Sequence, residues 1–78
     1  MTKIEILGTG CAKCKRLFAN TEQAVKELNI DVEMVKVEEI DQIVDRGVMM
    51  TPALIINDEI VVEGRVADVK EIKTLLTE

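Results

Sequence analysis

Residues 3–14 read Lys-Ile-Glu-Ile-Leu-Gly-Thr-Gly-Cys-Ala-Lys-Cys, and this stretch decides the fold. Ile4 and Ile6 alternate with Lys3 and Glu5 up to Leu7, the period-two pattern of a short strand. Gly8-Thr9-Gly10 interrupts it with a flexible turn. Over residues 12–29 the period becomes helical: Leu17, Phe18, Thr21, Val25 and Leu28 share one face, while Lys15, Arg16, Glu22, Lys26 and Glu27 lie away from it. Cys11 and Cys14 therefore stand at a strand-to-helix junction. Residues three apart on a helix are neighbours, so the two thiols can meet and close a disulfide without rebuilding the backbone.

Working outward, residues 31–37 (Asp-Val-Glu-Met-Val-Lys-Val) are rich in β-branched side chains and predict a second strand. A shorter helix follows, with Ile40, Ile43 and Val44 expected inward and Gly47 as its C-terminal stop. Beyond Thr51-Pro52, the runs Ala53-Leu54-Ile55-Ile56 and Ile60-Val61-Val62-Glu63 flank Asn57-Asp58-Glu59, a hairpin signal closed by Gly64-Arg65. Asp68 with Glu71 three residues on resembles a capping box and opens a last helix with Val69, Ile72, Leu75 and Leu76 inward. The order is β-α-β-α-β-β-α. Its β-α-β opening implies parallel strands joined by a right-handed crossover, and the hairpin adds antiparallel strands to a mixed sheet.

The chain has 78 residues, room for one domain spanning 1–78. The apolar fraction of 47% supports a core, and with Phe18 the only aromatic residue that core must be aliphatic. Net charge is −5 with no basic stripe, which argues against nucleic acid or an anionic membrane as partner. No apolar run approaches the ~18 residues of a spanning helix, and the acid in Met1-Thr2-Lys3-Ile4-Glu5 argues against an export signal, so a cytoplasmic protein is expected. The chain contains no histidine. Cys–His and Ser–His–Asp nucleophiles and His-ligated metal centres are thereby excluded within the chain, and two cysteines alone cannot complete a tetrahedral zinc site.

Redox chemistry has use for this spacing. Backbone N–H groups and the positive end of the helix dipole favour a thiolate at Cys11, and Lys13, Lys15 and Arg16 add positive charge nearby. Lowering a thiol pKa from about 8.5 to about 7 raises the thiolate fraction at neutral pH from ~3% to ~50%. Gly8 and Gly10 keep the preceding loop small, so that a partner's disulfide could reach Cys11. Cys11 then reads as the attacking thiolate and Cys14, one turn in, as the resolving thiol. The exchange moves two electrons and needs no bound cofactor and no metal. A structural staple is the bland alternative, but so short a loop gains only ~2 kcal/mol from closure.

The order of elements, Cys-x-x-Cys at the first strand–helix junction, and Thr51-Pro52 before a hairpin together resemble the thioredoxin superfamily. The likeness is nearest to its very small thioredoxin- or glutaredoxin-like redox-active disulfide proteins of archaea and bacteria, and it spans essentially the whole chain. It implies a minimal thioredoxin-like α/β fold, a four-stranded mixed sheet with helices on both faces. It implies that Pro52, which sequence pattern alone leaves an ordinary trans-proline, is cis and lies against the disulfide. Thr51 would offer backbone hydrogen bonds to a substrate chain, and Gly64 room for a partner to approach; Met49 and Met50 read first as apolar loop filler, with Met50 the candidate for a soft docking surface next to the disulfide. The partners implied are a disulfide-containing protein substrate and a reductase as electron donor, and the chain reads as a monomer. Gly10 and Ala12-Lys13 depart from the Trp and Gly-Pro of thioredoxins, and from the Pro-Tyr of glutaredoxins.

Two further residues are candidates for tuning the thiols. Lys13 is either a docking or tuning cation or a solvated charge. Glu5 falls where larger thioredoxins carry a buried acid, which would make it a proton acceptor for Cys14; its alternation with Ile4 and Ile6 favours the plainer reading that it faces water. Rival functions are a soft-metal carrier holding a Cu(I)-type ion through both thiolates, and a non-catalytic adaptor. The carrier domains run β-α-β-β-α-β and lack Thr-Pro, whereas here a helix is expected after the second strand.

Overall fold

The computed structural model describes residues 2–78; Met1, part of the N-terminal stretch read for an export signal, lies outside them. Seven elements follow in the expected order: β1 (Thr2–Leu7), α1 (Ala12–Leu28), β2 (Val32–Val37), α2 (Ile40–Asp45), β3 (Ala53–Ile56), β4 (Glu59–Glu63) and α3 (Val69–Thr77). The sheet order is β2-β1-β3-β4, with β1 parallel to β2 and antiparallel to β3. This is the minimal thioredoxin-like α/β arrangement, and it places β1 in the centre with its C-terminal end feeding α1.

Being central, β1 is buried on both faces, and its side chains sort by parity. Ile4 and Ile6 join Leu17 and Ala24 of α1, Leu54, Val62, Ala67 and Ile72 in one core. Leu7 points the other way, into a second core with Val37, Ile43, Val48, Ala53 and Ile55. Helices α1 and α3 thus cover one face and α2 the other. The buried Thr21 in α1 donates its hydroxyl to Leu17 O at 2.8 Å, so no polar atom is stranded there.

Three expectations need correction. Only Ile43 of α2 is buried, while Ile40 and Val44 are 66% and 63% exposed. A six-residue helix makes under two turns, and Val48, just past Gly47, takes the core position that the pattern assigned to a helical neighbour. The hairpin loop is two residues rather than three: Asn57 and Asp58 are both left-handed (φ 49° and 68°), as a type I′ turn demands, and Glu59 already belongs to β4. Most consequentially, Glu5 does not face water. It is 5% exposed, because the strand that carries it has cores on both sides.

Helix ends match their signals. Gly47 sits at φ +82° just beyond Arg46, the last cap of α2. Asp68 accepts from Glu71 N–H at 2.8 Å and caps α3. The Glu71 carboxylate does not complete the box but takes Arg65 in a two-pronged bond (2.8 and 2.5 Å).

Candidate active site

The site grows out of the end of β1. Gly8 N–H still donates to Val37 O at 2.9 Å, extending the parallel ladder by one rung. Gly10 then turns at φ +93°, a conformation that an L side chain resists, and delivers Cys11 to the N-cap of α1. Cys11 has extended backbone and caps with sulfur where Ser or Asp would use oxygen: its Sγ accepts from Cys14 N–H at 3.4 Å. The two sulfurs are 2.7 Å apart and carry no covalent bond between them. A disulfide needs about 2.05 Å, so closure asks for less than one ångström of movement.

The thiols differ in environment. Cys11 is exposed, whereas Cys14 is 6% exposed. The hydrogen bond between the two thiols, followed by that from Cys14 N–H, holds the Cys11 pKa below the ordinary thiol range; partial desolvation opposes it, and the N–H groups of Lys13 and Cys11 assist. Burial, then the same bond to Cys11, pushes the Cys14 thiol up. Cys11 is thus the easily ionised member, and Cys14 keeps the proton.

The cations near the helix start play a smaller part than their charges suggested. Lys13, Lys15 and Arg16 have exposed side chains, and of the three only Lys13 acts on Cys11, through its backbone N–H. Glu5 is turned toward α2, where its carboxylate meets Arg46 at 2.6 Å while Arg46 also binds Asp58 at 2.9 Å. The leading causes of both cysteine shifts are the other thiol, burial and backbone N–H groups, and Glu5 is not among them.

Around the thiols, Thr51-Pro52 is a cis peptide and Pro52 is buried. Pro52 O accepts from Gly64 N–H at 2.9 Å. Thr51 is exposed, and neither its N–H nor its C=O bonds to backbone among the described residues. Met50 lies along Gly64 (φ +76°), where a Cβ would come within 3.1 Å of Met50 Cβ. Met49 is 91% exposed. Beside Cys14, a small cleft is lined by Gly8, Gly10, Lys15, Phe18, Lys36 and Glu38, with Lys36 Nζ 4.3 Å from the Phe18 ring centroid.

Sequence reasoning missed what Gly8 does. It is buried and not an open approach: a Cβ there would overlap Cys14 Sγ and come within 2.9 Å of Cys14 Cβ and 3.9 Å of Pro52 Cα. A glycine ending a strand is the usual sign of such a close approach.

A family model described as "Thioredoxin domain" matches residues 2–77. This chain belongs to the thioredoxin superfamily. A protein named "Thioredoxin" from Methanothermobacter thermautotrophicus is 48% identical over 77 residues, covering 99% of this chain and all of that one. Another, from Methanocaldococcus jannaschii, is 45% identical over 73 residues, 94% of this chain and 84% of its own length. The thioredoxin-like chain is therefore of a thiol–disulfide oxidoreductase family, with its two cysteines in contact. Among the described residues no helix is long and apolar enough to cross a membrane. Nor do three or more cysteine or carboxylate side chains gather as a metal site among them.

Proposed function

We propose that this chain is a cytoplasmic dithiol reductant of protein disulfides, working as one thioredoxin-like domain. The observation that carries the reading is the asymmetric pair: an exposed, readily ionised Cys11 with a buried, protonated Cys14 in contact 2.7 Å away. Relatives named thioredoxin support the same reading.

In the first step the Cys11 thiolate attacks one sulfur of the substrate disulfide. A Cys11–substrate S–S bond forms, the substrate S–S bond breaks, and the departing thiolate takes a proton from water. Cys14 then gives its proton to the hydroxide left in the first step and attacks Cys11 Sγ. The Cys11–Cys14 disulfide forms as the mixed disulfide breaks, and the second substrate thiolate leaves. Two electrons have passed to the substrate, and a reductase returns them. Thr51, with its unused N–H and C=O beside Pro52, offers a strand-like rung to the substrate backbone. Met50 and Gly64 complete that docking edge.

The test is trapping. Wild-type protein should speed dithiothreitol-driven reduction of insulin, and Cys14→Ser should accumulate a mixed disulfide with insulin through Cys11, seen by mass spectrometry. A Cys11–Cys14 potential near about −270 mV would fit the reducing direction. No turnover of insulin by wild type, with tight Cu(I) binding by the two thiols, would sink the reading in favour of a metal carrier.

A further inference from the structure

Thr51 makes no backbone bond among the described residues, while its neighbours on both sides are held by Glu63, the last residue of β4, and by Gly64 just beyond it. On the C-terminal side, Gly64 N–H donates to Pro52 O at 2.9 Å. On the N-terminal side, a single carboxylate oxygen, Glu63 Oε2, accepts from Met49 N–H at 2.7 Å and from Met50 N–H at 3.3 Å. Gly64 also leaves the space over which the Met50 side chain lies.

We propose that Glu63 is a positioning residue for substrate docking, clamping the chain at Met49 and Met50 so that Thr51 presents its main chain beside Cys11 and Cys14. The inference rests on the reductant reading above, in which Thr51 receives the substrate.

Two successive N–H groups form a small concavity suited to an anion, and the bonds are charge-assisted. Residues 49–51 otherwise have little to fix them. Val48 is buried, but Met49, Met50 and Thr51 are exposed, and none of the three is in a helix or strand. Without the clamp, the approach to Pro52 would sample many conformations, and an incoming substrate would have to order it. That cost falls on binding rather than on sulfur exchange, because Glu63 touches neither thiol.

The role predicts a split between KM and kcat. With insulin as substrate, Glu63→Ala should raise KM about tenfold while kcat stays within about twofold. Glu63→Gln, which keeps an acceptor oxygen, should recover most of the loss. Amide hydrogen exchange in the same reduced proteins, read without any substrate, should be faster at Met49 and Met50 in Glu63→Ala and closer to wild type in Glu63→Gln. Unchanged exchange at these amides, a kcat loss without a KM change, or a Gln variant as impaired as Ala would each overturn the clamp. A wild-type chain that does not reduce insulin would overturn the reductant reading, and the docking role of Glu63 with it. An active wild type with an unaltered Glu63→Ala overturns the clamp alone.

Discussion

Gly8 sits directly behind Cys14, close enough that a single added methyl would occupy the space of the Cys14 sulfur. The overlap is with the buried Cys14 side chain, while Pro52 Cα at 3.9 Å already makes ordinary contact on the other side, so the added methyl has nowhere to shift. Gly8→Ala should therefore cost about 2–3 kcal/mol, as overpacking of a tight core does. For a domain of this size that lowers Tm by on the order of 10 °C, measurable by thermal unfolding of the reduced protein. Combining Gly8→Ala with Cys14→Ala, which removes the overlapping sulfur, should recover part of the loss; equal Tm values for the single and double variants would contradict the steric account.

The low pKa of Cys11 has the Cys14 thiol as its largest cause. Cys14→Ala should therefore move the pH midpoint of Cys11 alkylation upward, leaving only backbone N–H groups to hold the anion down. The thiols also make stability depend on pH in the reduced form alone. Cys11, depressed in the fold, stabilises it above the pH where an unfolded thiol ionises, and that contribution is lost as pH falls through its folded value. Cys14, raised by burial, contributes while neutral and loses its share as pH climbs past the ordinary thiol range. Urea midpoints of reduced and oxidised protein, followed across roughly pH 6–10, should differ in slope, and parallel curves would refute the assignment.

Asp68 accepts from Glu71 N–H and leaves the Glu71 carboxylate to Arg65. Because Glu71 does not return a bond to the cap, removing the Asp68 side chain breaks a single interaction. Asp68→Ala should cost about 1 kcal/mol, read as a Tm about 4–8 °C lower.

How far the sequence led depends on how local each signal is. The β1–Cys-x-x-Cys–α1 stretch was legible because strand period, glycine break and helix period succeed one another within a few residues. Asp68 and Gly47 were legible because capping is decided inside one turn. Glu5 was misread for the opposite reason: alternation states that a side chain faces away from Ile4 and Ile6, not whether a second core waits there. That second core is built by Val37, Ile43, Val48 and Ile55, which lie far along the chain. The packing of Gly8 and the role of Glu63 escaped notice likewise, since a close approach to Cys14 and a bond to Met49 exist only once β1, α1 and β4 are assembled.

Glu5 is a buried carboxylate on a central strand, and its bond to Arg46 at 2.6 Å is what makes that burial tolerable. Arg46 caps α2 and reaches on to Asp58 in the hairpin turn, so one guanidinium ties β1, α2 and the β3–β4 loop together. The consequence is an asymmetry between variants. Arg46→Ala leaves the carboxylate buried without its cation and should lower the urea midpoint clearly. Adding Glu5→Gln to it should restore much of that loss, because a neutral amide is easier to bury than an unpaired anion. Glu5→Gln alone should leave the pH–rate profile of disulfide exchange unmoved, since the Glu5 carboxylate is engaged by Arg46 and is not among the leading causes of either cysteine's shift. A shifted profile in that variant would return Glu5 to the thiol chemistry as a proton acceptor, and a double variant no more stable than Arg46→Ala would show the ion pair to be incidental.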